Sequence, residues 1–341
     1  MTALHTARQL VLRTIAVSFS LVILAVQAPS AEAGPREQAK RIHERITGVP
    51  PSATKLQDME DQIIAGDAVG AAEIALQDPA FYDVTLKNFV APWTNEAMSP
   101  FVPLNDYTAT VIGMVRDNID FRQVLFGDIL YKGASSLGIT PYANNNNRHY
   151  EELEARLNGT SLSLSDNEVL QASYQSAENP ELTAGVNGST AGVMTTRAAA
   201  KAFFSAGTNR AMFRFTLLNH MCNDLEQVAD VSLPPDRIRQ DVSRSPGGDS
   251  RVFLNNCVGC HTGMDPMTQA FAYYNYEYDA NNDPDGNLGR LVYNATGETD
   301  PETGTRVVAK YHINATTFEQ GYVTPDDRWD NYWRSGANRR L

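Results

Sequence analysis

The feature that most constrains this chain is a five-residue run, Cys257-Val258-Gly259-Cys260-His261. Two thiols three positions apart, followed at once by an imidazole, form the C-x-x-C-H pattern of c-type haem attachment. The thiols are spaced to reach the two vinyl groups on one porphyrin edge, and the next residue can turn its imidazole under the ring toward iron. Asp249 or Ser250 is placed to cap a short helix entering the motif, with Phe253 and Leu254 facing inward. Two other uses of the cysteines stay open at this level. A thioredoxin-like redox pair needs a βαβ setting, and none is visible. A zinc site needs a second pair of ligands, and only Cys222 and scattered histidines remain.

Attachment of this kind takes place outside the cytoplasm, and the N-terminus carries an independent export signal. Arg8 and Arg13 precede the apolar run Ile15–Ala28, and Ala31-Glu32-Ala33 supplies a small-residue cleavage site. Residues 1–33 are expected to be a cleaved signal peptide, too short for a comfortable membrane span. No later stretch is apolar enough to span a bilayer. The mature chain is therefore expected in the periplasm or secreted, without a stable membrane span. Among 341 residues, Asp and Glu number 40 against 28 Lys and Arg, a net charge of -12. Such an excess argues against nucleic-acid binding, which neutralises phosphates. Three cysteines are too few for a disulfide scaffold.

Downstream of the motif come Thr262-Gly263-Met264-Asp265-Pro266 and an aromatic run containing Phe271, Tyr273, Tyr274, Tyr276 and Tyr278. The tyrosines suit either a haem-facing surface or a strand in an ordinary core. This segment resembles the C-x-x-C-H-x-x-M/I-D-P segment of the planctomycete-type cytochromes, large exported haem proteins. The stretch Arg41 to Pro51 resembles their R-x-x-x-x-L-T-G-x-P-P opening. Asn118 to Leu125 is similar to their F-R-x-L-L helix, and Met194-Thr195-Thr196-Arg197 to the G-x-L-T stretch before the haem segment. The resemblance implies an all-helical exported haem protein and no particular substrate. It also implies a longer domain, so a second polypeptide completing the haem pocket is an expectation.

His261 is the expected proximal ligand, with Cys257 and Cys260 holding one haem c. A low-spin carrier needs a sixth ligand, usually Met or His. His312 is the candidate at a workable distance downstream; His220, Met221, Met264 and Met267 are the others, and an open iron is the remaining case. Arg251, Arg290 and Lys310 are guesses for propionate contacts.

The rest of the chain reads as mainly α, a helical N-terminal region followed by a cytochrome c-like haem-binding helical region with long loops. Apolar residues at helical spacing predict helices over 37–46, 54–65, 68–77, 80–90, 106–115, 121–130, 148–157, 195–204 and 210–221. Thr54 and Gln57 suggest a capping box, Asn105 an N-cap, and Pro79 a first-turn proline. Residues 132–146 look like a linker between a domain over 34–135 and a haem-bearing domain over 148–341, unless the two share one core. The loop Asn281 to Asn287 resembles the start of a calcium loop, but Val292 stands where its closing Glu belongs.

These features together predict a periplasmic mono-haem c-type cytochrome that passes single electrons to a redox partner protein or an exported oxidoreductase. The alternatives are the haem subunit of an exported oxidoreductase or peroxidase-like enzyme, and a haem-bearing module of a surface complex.

Overall fold

A computed structural model of the chain describes residues 33–183, 188–204, 209–235, 238, 242–271, 273–293, 298–299 and 306–307. The expected leader lies outside these residues except for its last position, and His312 and Lys310 lie wholly outside them. The described chain is mainly helical, as its periodicity predicts. No helix among the described residues is long and apolar enough to cross a membrane.

The chain divides into two compact units, one ending at Ala75 and one beginning at Leu76. The first contains α1 (Pro35–Thr47), α2 (Ala53–Ile64) and α3, which runs from Ala68 to the boundary at Leu76. Ala39, Met59, Ala71 and Ala75 form its small core, flanked by Ile42, Ile46, Leu56 and Ile63. The Thr47-Gly48 pair ends α1. Gly48 takes a left-handed φ of 73° and its N–H donates to Glu44 O, a geometry that favours glycine. Thr47 Oγ1 donates to His43 O at 2.9 Å, which keeps the helix end satisfied where it is buried. The cap of α2 is Ser52, accepting from Lys55 N at 3.2 Å, and not Thr54 as the sequence suggests. The two residues are separated by one position, Ala53, where the backbone turns helical.

The second unit is built around α4 (Asp106–Arg116), with every residue from Asp106 to Met114 buried. A helix buried on all sides belongs inside a core, with its Asp106 and Thr110 side chains hydrogen-bonded there. Asn105 caps it as predicted, accepting from Thr108 N at 3.0 Å. Strand β1 (Leu130–Gly133) lies against α4, with Tyr131 N donating to Thr110 Oγ1 at 3.1 Å. It pairs antiparallel with β2 (Leu170–Ser173). Between them runs α5 (Arg148–Leu157). One hydrophobic core takes in Tyr107, Tyr131, Tyr150, Phe204, Met212, Met264 and Tyr274. The 132–146 segment is therefore not where the chain separates. β1 enters it, and residues on both sides of it belong to the same core.

Residues 121–130, expected as one helix, form a short 3₁₀ turn at Phe121–Leu125 followed by extended chain. Their carbonyls bond elsewhere: Val193 N donates to Val124 O at 2.9 Å and Gly192 N to Gly127 O at 3.1 Å. The expected helix over 80–90 is a wide π-turn, Phe81–Leu86, that tightens into Lys87–Val90.

Three helices and a strand pair carry the far side of this unit. They are α6 (Arg197–Phe203), α7 (Arg210–His220) and α8 (Val258–Met267), with β3 (Tyr274–Glu277) antiparallel to β4 (Arg290–Tyr293). The aromatic run is thus a strand with Tyr274 and Tyr276 buried. Residues 298–299 and 306–307 form a third antiparallel pair. Asp106 at the start of α4 joins α4 to α6. It accepts Arg197 N at 2.6 Å and Ala198 N at 3.0 Å. Burial pushes the Asp106 carboxyl up, while these backbone bonds pull it back. The Arg197 side chain then reaches the β3–β4 connection at Asn287 O (2.6 Å) and Gly289 O (2.9 Å), and Tyr276 Oη at 2.9 Å.

Candidate functional site

Cys257 closes a π-turn, Phe253–Cys257, that leads directly into α8. Single π-turns inside helices concentrate at functional sites because they widen the helix and re-aim its side chains. Asp249 starts the segment as predicted, accepting from Arg251 N at 2.9 Å. Phe253 faces inward as expected, packing with Ile238 and Val258, and Arg244 lies over its ring at 5.1 Å. Leu254 does not: it is 57% exposed. The π-turn rotates it away from the small cluster that receives Phe253.

The first turn of α8 rests on the 225–232 loop. Gly259 O accepts from Asp230 N at 2.9 Å, and Thr262 Oγ1 donates to Asp230 O at 2.9 Å. A Cβ on Gly259 would press on Val231 at 3.2 Å, so the close approach suits glycine. Cys257 and Cys260 are free thiols at half-buried positions, Cys257 directed at Val252 O and Cys260 at Leu225 O. Burial, together with Glu226 and Asp224, pushes the Cys260 thiol up. That is the opposite of an activated redox thiolate. The described strands pair antiparallel in two-stranded sheets, so a thioredoxin-like βαβ setting does not surround this pair. Among the described residues, no three His, Cys, Asp or Glu side chains converge as a metal-binding group. Cys222 is exposed.

His261 is positioned by a residue the sequence reading passed over. Its Nδ1 lies 3.0 Å from Asp265 Oδ1, one turn along α8. The Asp265 side chain is fully buried, and that of His261 is 21% exposed. Arg210 of α7 forks onto the same carboxylate, Nε to Oδ1 at 2.9 Å and an Nη to Oδ2 at 3.1 Å. Burial opposes the Asp265 charge, but His261 and Arg210 outweigh it and hold the carboxyl below its usual range. An ionised carboxylate only accepts, so His261 Nδ1 is the donor of this pair. The four-residue spacing of His261 and Asp265 on a helix was the available signal.

The candidate sixth ligands are placed as follows. Met264 and Met267 are buried in the main core, at 5% and 1% exposure. His220 is held at the end of α7: its Nε2 meets Tyr107 Oη at 2.8 Å, and Trp93 stands edge-on at 5.4 Å. Met221 is 55% exposed. Arg251 is paired with Asp249, and Arg290 with Glu181. Two oxygens of the calcium-like loop are engaged by protein groups. Asp283 Oδ2 accepts from Leu288 N at 2.6 Å, and Asn287 Oδ1 accepts from Lys201 Nζ at 2.6 Å.

No protein-family model, curated protein or solved structure matches this chain.

Proposed function

We propose that this chain is an exported mono-haem c-type cytochrome. Cys257 and Cys260 would hold the haem through thioethers, and His261 would ligate its iron. The observation that carries the reading is the placement of His261: its Nδ1 lies 3.0 Å from a buried carboxylate, so Nε2 is the nitrogen that could face a metal, and two free thiols stand at the start of the same helix. When bound, the haem supplies a one-electron couple. The residues present fit it. Attachment would add each S–H across a vinyl double bond, which requires free thiols and no oxidant, and both thiols are free. Around the motif, Val231, Val252 and Leu254 are exposed apolar side chains, suited to cover by a porphyrin. The resemblance to planctomycete-type cytochromes and the export signal point the same way. Such a carrier would exchange single electrons with a redox partner protein or an exported oxidoreductase.

A second reading has its own support. Met264, Met267 and His220 are committed to the core or to Tyr107, which favours an exported haem enzyme whose iron keeps an open position. The test is expression of the full chain with periplasmic haem maturation, followed by haem staining of a denaturing gel and oxidised and reduced spectra. Stain retained in the wild type and in Cys222→Ser, and lost in the Cys257→Ser/Cys260→Ser double variant, supports attachment. A six-coordinate low-spin spectrum supports the carrier. A high-spin spectrum that responds to carbon monoxide moves the enzyme reading ahead. No stain in the wild type sinks both.

A further inference from the structure

Attachment and ligation use Cys257, Cys260 and His261, and leave the carboxylate behind His261 without a task. Burying an ionised carboxylate is costly unless it is paired and hydrogen-bonded. Asp265 is paired twice. Its Oδ1 serves both His261 Nδ1 and Arg210 Nε, and its Oδ2 serves an Arg210 Nη. The cation arrives on fixed backbone. Asn209, just before Arg210, donates from Nδ2 to Phe271 O at 2.6 Å and to Tyr274 O at 3.2 Å, tying the start of α7 to the chain beyond α8. Position and charge are therefore set from two helices at once.

We propose that Asp265, held by Arg210, tunes His261 as a metal ligand: it fixes the Nδ1–H tautomer, raises the basicity of Nε2, and so holds the bound haem toward its oxidised form. This rests on the haem reading given above. A histidine that donates its second N–H to a carboxylate gains negative charge on the ring and binds a metal more strongly. Extra charge from the ligand favours the more positive iron, which lowers the reduction potential. Asp265 is a positioning residue in this account, acting through His261. Arg210 limits the effect, because it draws on the same Oδ1.

The test is a spectroelectrochemical titration of the haem-loaded full chain beside Asp265→Asn, which keeps the shape and removes the charge. The variant is expected to retain covalent haem and to shift its midpoint upward by at least about 59 mV, a tenfold change for a one-electron couple. Arg210→Lys keeps a cation but loses the fork, and is expected to move the midpoint downward. It decides the matter if Asp265→Asn is not recovered folded. Haem-loaded variants with an unmoved midpoint overturn the inference and reduce the triad to a helix clamp, with the haem reading intact. A wild-type chain without covalent haem is a different failure, visible on the stained gel before any titration.

Discussion

Tyr107 Oη meets His220 Nε2 at 2.8 Å, across 113 positions of sequence, and fixes the end of α7 to the central helix α4. Burial lowers the His220 imidazole to about 4 from a usual value of 6.5. The folded state therefore resists a proton that the unfolded chain accepts. Between about 4 and 6.5 the unfolded state binds more protons, so stability rises with pH in that window. The contribution is complete above 6.5 and is lost as pH falls toward 4. His149 adds to the same slope. Burial lowers it too, and its Nε2 accepts from Gly133 N at 2.8 Å, a bond that a proton would break. Denaturant unfolding at pH 7 and pH 5 is expected to show a lower midpoint at pH 5. His220→Gln should reduce that difference without abolishing it. An unchanged pH dependence in the variant would show that His220 titrates as it does in water.

Arg197 concentrates a second set of long-range contacts. Its side chain bonds Asn287 O, Gly289 O and Tyr276 Oη, and its backbone N–H is capped by Asp106. Arg197→Met keeps the length of the stem and removes the donors. Two carbonyls lose their partner, the Tyr276 phenol keeps only its bond to Gly286 O, and the cation near the buried Asp106 is gone. The expected loss is about 3 kcal/mol of unfolding free energy. Chemical denaturation followed by circular dichroism checks it. A loss under about 1 kcal/mol would mean that water replaces the guanidinium without penalty.

Legibility divides along the range of the interactions. Helices with a sharp cap and an apolar stripe, such as α4 behind Asn105, were readable because cap and stripe are local. The C-x-x-C-H run was readable for the same reason. Phe121–Leu125 misled because its neighbours in space, Gly192 and Val193, lie far away in sequence and take its carbonyls. Arg210 was invisible as part of the site because its carboxylate is 55 positions away. Asp265 was within reach, because its four-residue spacing from His261 on a helix is local. Thr196 and Arg197, noted only for their resemblance to a family stretch, turn out to be the cap and the anchor of α6.

Gly192 makes that long-range contact possible. It sits at a φ of +55°, and a Cβ there would overlap the carbonyl of Val124. Gly192→Ala is strained twice, by conformation and by collision with backbone that cannot rotate away. It is expected to lower stability by about 2 kcal/mol or more and to speed proteolysis after Phe126, which is exposed. Gly138→Ala is the control. Its φ of +63° carries the conformational strain alone, since nothing lies within 4 Å of an added Cβ. The difference between the two variants isolates the collision. Equal losses would show that the 121–127 segment yields to make room.

Met264 and Met267 give the prediction that bears most on the site. Both lie within six residues of His261, and both are buried among the aromatic side chains of the main core. If they are packing groups, Met→Leu changes little, because the volumes match and neither sulfur has a metal to hold. Met→Ala leaves a cavity and is expected to cost about 2–5 kcal/mol. Spectra and stability then separate. Met264→Leu and Met267→Leu should leave the haem-loaded spectrum unchanged in spin state and should unfold within about 1.5 kcal/mol of the wild type. A low-spin wild type that turns high-spin in either leucine variant would show that the methionine leaves the core to reach iron. The packing of α8 seen here would then not be that of the loaded protein.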